Sequence, residues 1–291
     1  MTEPNNKLGF LLMSVTSLIF ALQDGISRHL ADEYNVFMIV MIRYWFFAAF
    51  VLYLAQKNGG IREAAQSHHR LLQIGRGVLL ALEICVTVLA FTLLGLTESH
   101  AIFVCYPLII VALSGPMLGE KIGWLRWSAV LIGFVGVLII IQPGSGVFSP
   151  LAIVPIIGAA MFAIYGVMTR YVAQKDESST SFFYTGCAGA VVMTGIGLFF
   201  WEPIAKGDLG LLLLLCFTGV LGHWMLIKTY ELAEASAVQP FAYLQMPFAV
   251  MVGMLAFGET LRSNVALGAA IIVCAGIFVF WRERRLGIRQ D

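Results

Sequence analysis

Apolar residues run along this chain in long blocks broken by short polar gaps. Ten blocks stand out, at roughly 8–30, 36–55, 71–95, 99–118, 123–141, 150–172, 179–201, 209–230, 235–257 and 264–281. A helix needs about 20 mostly apolar residues to cross a bilayer, and each block meets that length. The gaps carry turn chemistry: Asn58-Gly59-Gly60, Pro143-Gly144-Ser145-Gly146 and Lys175-Asp176-Glu177-Ser178. The pattern predicts an all-α integral membrane protein with ten transmembrane helices and both termini on one side. The first block matches a later one, so it reads as a span and not as a signal peptide.

Three short matches expose an internal repeat. Phe20-Ala21-Leu22 followed by Ser27-Arg28 recurs as Phe162-Ala163-Ile164 followed by Thr169-Arg170, a shift of 142. Leu96-x-Glu98-x-x-Ala101 recurs as Leu232-x-Glu234-x-x-Ala237, a shift of 136, and Gly119-Glu120 recurs as Gly258-Glu259, a shift of 139. Their shared order predicts two five-helix repeats, residues 1–146 and 147–291. Five is odd, so the second repeat enters the bilayer inverted. Inverted repeats are a device of secondary transporters, because two rocking halves expose one central site to either side in turn.

Composition agrees with a lipid surround. The 291 residues are 59% hydrophobic and 12% charged, with a mean hydropathy of +0.87, where a soluble domain carries about a quarter charged residues. The net charge of +1 offers no basic field for nucleic acid. With the N-terminus inside, 13 Lys/Arg residues fall on the inner side (Lys7, Lys57, Arg62, Arg70, Arg76, Lys121, Arg126, Arg170, Lys175, Arg282, Arg284, Arg285 and Arg289) and three outside (Arg28, Lys206 and Arg262). That asymmetry predicts cytoplasmic termini in the cell inner membrane. Cys85, Cys105, Cys187, Cys216 and Cys274 each sit in apolar sequence and read as packing residues. The segment IREAAQSHHR reads as a short interfacial helix or solvated loop. Its adjacent His68 and His69 do not share a helix face, so no metal site is expected.

The run LGEKIGWLRWSAVLIGFVGVLIIIQPG, Leu118 to Gly144, resembles the end of the first half of the EamA family in the drug/metabolite transporter superfamily. Phe257-Gly258-Glu259 with Gly268 and Gly276 repeats the pattern, and His223 to Tyr243, with Ala233-Glu234-Ala235-Ser236 and Gln239-Pro240-Phe241, is similar to that family's second half. The resemblance implies a ten-helix exporter-type fold around a central cavity lined by the first, third, fourth, sixth, eighth and ninth helices. It further implies a small-molecule substrate. Amino acids, including aromatic and neutral ones, are the leading reading; a vitamin or nucleobase-like compound is the alternative. No cofactor is expected, the bilayer is the surround, and a monomer suffices.

Charges within a bilayer cost roughly 2.5–3.5 kcal/mol on insertion scales, so they face the protein interior and mark candidate sites. Glu83 lies about 12 residues from either end of its block, roughly 18 Å deep by helix rise. It reads either as a proton-coupling or substrate-amine site or as a neutral carboxyl bonded between helices. Asp24 and Arg43 lie at matching depths, so an ion pair, structural or gating, is expected. Gln23, Gln245 and His100 accompany them. Lys228 reads as snorkelling to the inner interface, and His223 as a titrating or packed histidine. Phe103, Tyr106, Tyr165, Trp224 and Tyr243 fall on the cavity helices, where each either lines the cavity or packs. Glu120 and Glu259 follow glycines and read as caps of the next helix. Pro107, Pro240 and Pro247 interrupt the fourth and ninth spans. A membrane enzyme would need a clustered motif such as HExxH, and a channel a filter or charged ring; neither pattern is present.

Overall fold

The computed structural model describes residues 6–120, 122–141 and 150–285. The first part of the chain forms α1 (Asn6–Glu33), α2 (Val36–Lys57), the single turn α3 (Ile61–Ala64), α4 (Arg70–Leu94), α5 (Leu96–Phe103), α6 (Tyr106–Leu118) and α7 (Trp124–Ile141). The second part forms α8 (Ile153–Val172), α9 (Ser178–Gly197), α10 (Leu209–Leu232), α11 (Ala235–Ala242), α12 (Gln245–Phe257) and α13 (Ser263–Arg285). All regular elements among the described residues are helical.

Among the described residues, eight helical stretches are long and apolar enough to cross a membrane, with α5–α6 and α11–α12 each counted as one. The apolar stretches Trp127–Ile140 and Ser263–Ala275 lie within the two remaining long helices, α7 and α13. Large apolar side chains cover the outside, among them Leu71, Val191, Phe199 and Leu255, each more than 75% exposed. A surface of that kind needs lipid against it. The expected loop at Pro143–Gly146 and the repeat boundary at 146/147 lie outside the described residues.

Helix starts reveal the repeat more sharply than motifs do. Arg70, Leu96, Tyr106 and Trp124 open α4 to α7, and Leu209, Ala235, Gln245 and Ser263 open α10 to α13, each 139 residues later. Val36 and Ser178, opening α2 and α9, are 142 apart, in step with the Phe20/Phe162 match. The Leu-x-Glu-x-x-Ala match at 136 is therefore out of register. Leu96 opens α5, whereas Leu232 closes α10.

Contacts between the halves are reciprocal. α1 packs on α10 as α4 packs on α8, α1 packs on α12 as α8 packs on α6, and α5 meets α12 as α6 meets α11. The counterpart pairs α2–α9 and α7–α13 pack on each other. This is the contact pattern of a pseudo-twofold. Gly268, part of the family-like pattern, lets α13 approach α7 closely: a Cβ there would meet the Gly136 carbonyl oxygen at 2.5 Å.

The fourth and ninth spans are broken, at Val104–Cys105 and at Tyr243–Leu244. Pro107 and Pro247 follow these breaks, within the first turns of α6 and α12, where a missing N–H costs least. Pro240 lies inside α11 and does not mark the break.

One charge falls in an unexpected place. Arg76, placed by its sequence position among the cytoplasmic cations, is completely buried between α4, α8 and α9. Its guanidinium donates to Gln73 Oε1 (2.9 Å), Tyr165 Oη (3.2 Å), Thr169 Oγ1 (3.2 Å), the Ser181 carbonyl (2.5 Å) and Thr185 Oγ1 (2.9 Å). The nearest carboxylate in this network is Asp176, one step away through Gln73 Nε2 at 3.0 Å. Asp176, in the turn between α8 and α9, also accepts from Ser67 Oγ at 2.5 Å and the His68 amide at 2.8 Å. His68 thus meets a carboxylate brought from the other half of the chain. No cluster of three His, Cys, Asp or Glu occurs among the described residues.

Burial pushes the Asp176 carboxyl up, but the donors from Ser67, His68 and Gln73 outweigh it and hold it below the usual carboxylate range. A lowered folded-state value means the stabilisation is complete above the unfolded value of about 4 and fades as pH falls through the folded one. Asp176→Asn is expected to cost about 1–3 kcal/mol of stability at neutral pH, the scale of bonds to a charged group. Melting in detergent from pH 7 to pH 3 should show the gap to wild type closing as the pH falls. Equal midpoints at neutral pH would remove Asp176 from the network.

Candidate functional site

Where the two halves meet, a small cavity of about 40 Å³ is lined by Phe20, Gln23 and Asp24 of α1, Arg43 of α2, Glu83, Ile84, Thr87 and Val88 of α4, Phe103 of α5, Phe162 of α8, His223 of α10 and Gln245 of α12. These are the first, third, fourth, sixth, eighth and ninth spans, joined by the second through Arg43. The cavity therefore gathers Gln23, Asp24, Arg43, Glu83, Phe103, His223 and Gln245 from residues scattered over 220 positions of sequence.

The expected Asp24–Arg43 ion pair does not form. Asp24 Oδ2 accepts from Gln245 Nε2 at 3.0 Å and lies 3.1 Å from His100 Nε2, a contact not aligned as a hydrogen bond. Arg43 instead turns to α10, where Nη2 lies 3.1 Å from His223 Nε2. Gly219 makes room for it, since a Cβ there would meet Arg43 Nε at 2.5 Å. Arginine only donates, so His223 Nε2 must accept, which leaves the proton on Nδ1. That Nδ1 has no hydrogen-bond partner, and neither does Gln23 Oε1. The buried site thus holds one spare donor and one spare acceptor on its lining residues.

Glu83 is 3% exposed, with no Lys or Arg in ion-pair contact among the described residues, and accepts a hydrogen bond from Thr87 Oγ1 at 2.6 Å. Sequence reading passed over Thr87, although its i,i+4 spacing from Glu83 is the signal for such a bond. Arg43, expected beside Asp24 near one surface, shares this cavity with Glu83.

The aromatic expectations divide. Phe103 lines the cavity and packs on Phe162 at 5.7 Å between ring centres. Tyr106 stands edge-on to Phe162 behind it, and Tyr165 belongs to the Arg76 network with its edge toward His223. Tyr243 is buried at the α11–α12 break, away from the cavity lining. Trp224 is 40% exposed and faces a separate polar cleft of about 990 Å³ between the α2–α4 connection and the α8–α9 turn. Adjacent helix residues point about 100° apart, which separates Trp224 from His223. Lys228 pairs with Glu231 at 2.6 Å one turn from the end of α10.

The two glutamates cap helices, but not the next ones. Glu120 takes the Ala235 and Ser236 amides at 3.0 and 3.2 Å and the Ser236 hydroxyl at 2.5 Å, all at the start of α11. Glu259 takes the Leu96 and Thr97 amides at 2.8 and 2.7 Å at the start of α5. Each cap crosses to the other repeat.

A family model described as the EamA-like transporter family matches residues 7–142 and 150–281, once in each half. The chain belongs to the EamA-like transporter family. It is a multi-pass membrane transporter of the drug/metabolite type, built on two repeats. It is 25% identical to an S-adenosylmethionine uptake transporter of Rickettsia prowazekii, over 98% of this chain and 95% of the relative. It is 28% identical to a riboflavin transporter of Vibrio cholerae, over 97% and 96%, and 24% identical to a pseudopaline exporter of Pseudomonas aeruginosa, over 93% and 95%. A solved crystal structure aligns with a TM-score of 0.69 at 16% identity, covering 96% of this chain and 98% of its own, and shares the fold.

Double-mutant cycles separate the observed pairing from the expected one. Arg43→Gln and His223→Gln should couple by about 0.5–3 kcal/mol in detergent melts, the range for residues in contact. Arg43→Gln and Asp24→Asn should couple less than that. The reverse order would restore the Asp24–Arg43 pair.

Proposed function

We propose that this transporter carries a small nitrogen heterocycle of the vitamin or nucleobase-like class across the cell inner membrane by alternating access. The observation that carries the reading is the cavity shared by both repeats, where phenylalanine walls surround an unpaired acceptor on Gln23 and an unpaired donor on His223. A ring with adjacent N–H and C=O groups pairs with such a set and stacks on Phe20, Phe103 and Phe162. The relatives named for S-adenosylmethionine and riboflavin support the same class, which replaces the amino-acid reading as the leading one.

In this proposal α7 and α13 complete ten spans, and residues 1–146 and 147–291 are inverted five-helix repeats. The excess of Lys and Arg on one side puts both termini in the cytoplasm. Glu83 is the coupling group: buried, in no ion pair among the described residues, and next to the site where cargo arrives. Net direction follows the gradients, as in any secondary carrier.

Counterflow in proteoliposomes tests the cargo class. Vesicles loaded with unlabelled riboflavin or S-adenosylmethionine should take up the matching labelled compound transiently and saturably, while phenylalanine should not exchange. Exchange of phenylalanine alone would return the amino-acid reading, and flux linear in concentration would indicate a channel.

Glu83→Gln keeps the shape and the Thr87 contact but removes the titratable proton. It is expected to retain counterflow while losing at least tenfold in accumulation driven by an imposed pH gradient. Wild-type accumulation by the variant would make Glu83 a packing residue.

A further inference from the structure

The two capping glutamates are equivalent by repeat, 139 residues apart, yet their surroundings differ in one respect. Glu259 forms an ion pair with Arg28, whose guanidinium also lies 4.1 Å over the Phe257 ring. A second pair, Arg262 with Glu98, lies at the same end. The repeat counterpart of Arg28 is Arg170, 142 residues on, near the end of α8. Arg170 should therefore meet Glu120, but it donates to the Tyr230 carbonyl at 3.0 Å. Glu120 holds its two amides and the Ser236 hydroxyl without a described arginine or lysine.

The alternative partner sits beside a neighbouring helix. α8, which bears Arg170, packs on α6, which ends immediately before Gly119-Glu120, and also meets α11, whose start Glu120 caps. The Tyr230 carbonyl belongs to the last turn of α10, whose oxygens lack intrahelical partners. A bond to such an oxygen is weaker than one to a carboxylate. Arg170 is held on the weaker acceptor while its counterpart holds the stronger one.

We propose that the two glutamates gain and lose their arginines in alternation: Arg28 grips Glu259 in the state described here, and Arg170 grips Glu120 in the opposite state, where Arg28 has let go. This rests on the alternating-access reading above. The caps stay made throughout, so the helix starts remain satisfied, and the arginines alone change partners. Because each pair favours closure of its own end, the two set the balance between the states. Arg28 and Arg170 are positioning residues in this scheme and need not touch cargo.

A substrate-free labelling experiment tests it. Val88 lines the central cavity and is apolar, so Val88→Cys, in a chain whose five native cysteines are replaced by alanine, reports access to the cavity. A membrane-impermeant maleimide is applied to right-side-out and to inverted vesicles. Arg28→Gln should raise labelling from the Arg28 side relative to the Arg170 side by roughly tenfold, and Arg170→Gln should shift the ratio the opposite way. Arg28→Lys and Arg170→Lys keep the charge and should stay near the parent ratio, which separates gating from misfolding. A ratio within about twofold of the parent for Arg170→Gln, with Arg28→Gln shifted, overturns the exchange and leaves alternating access standing. Labelling from one side only in every variant overturns both.

Discussion

The structure depends on satisfying helix starts that have no loop in front of them. α5 opens one residue after α4 closes, and α11 opens two residues after α10 closes. Neither start is capped by its own N-cap residue: Gly95 has no side chain, and the Glu234 side chain makes no capping bond. Free amides beside hydrocarbon are costly, and only another polar group of the protein can meet them. Glu120 and Glu259 do so from the opposite repeat, each delivered by a glycine in the left-handed conformation, Gly119 at φ 72° and Gly258 at φ 64°. Gly-Glu is thus one device. The glycine turns the chain and the carboxylate ties one half to the other, in both directions.

With the halves joined that way, the interior polar groups sort into two kinds. Arg76 is surrounded by neutral oxygens on three helices and is saturated, which suits a fixed structural cation. The central group is unsaturated. Arg43 leans on a histidine, Asp24 on a glutamine, and two lining atoms have no partner. A buried polar set left incomplete is expensive, and chains retain such sets where a ligand finishes them. The contrast between a filled and an unfilled network in one bundle is the main reason to place cargo at the second.

Most of the architecture was legible because lipid enforces it. The length of apolar blocks located the eight spans found among the described residues, and the repeat showed in three matches, of which Gly-Glu at 139 and Phe20/Phe162 at 142 keep the structural register. The cavity helices came from the family resemblance, and their charged residues stood out because charges inside a bilayer are few. What escaped depended on partners from the other half. Depth alone paired Asp24 with Arg43, whereas the chain offers Arg43 the histidine on α10 across the glycine gap at Gly219. Capping of the next helix is the local rule, and the structure applies it across the pseudo-twofold. Arg76 looked like a loop charge because it sits near the start of α4, and its five neutral acceptors carry no charge signal in sequence. The Leu-x-Glu-x-x-Ala match misled because chemically similar positions fell three residues out of structural register.

The narrow cavity sets the last constraint. At about 40 Å³ it holds a few waters at most, since one water needs about 10–15 Å³ of such space. Pockets for ring-bearing metabolites run to roughly 300–1,000 Å³. Side-chain rotation cannot supply that difference in a packed interior, so cargo requires whole helices to separate. The α7–α13 contact gives little play, because its backbones touch at Gly136 and Gly268. The lining instead comes from α1, α2, α4, α5, α8, α10 and α12, whose cross-repeat contacts occur as reciprocal pairs. Loosening one member of each pair while its counterpart stays packed opens one end and keeps the other shut. A pseudo-twofold bundle that opened this way would need its two ends to differ at any instant, and they do differ in polar contacts: Glu259 holds Arg28, whereas Arg170 sits on the Tyr230 carbonyl and not on Glu120.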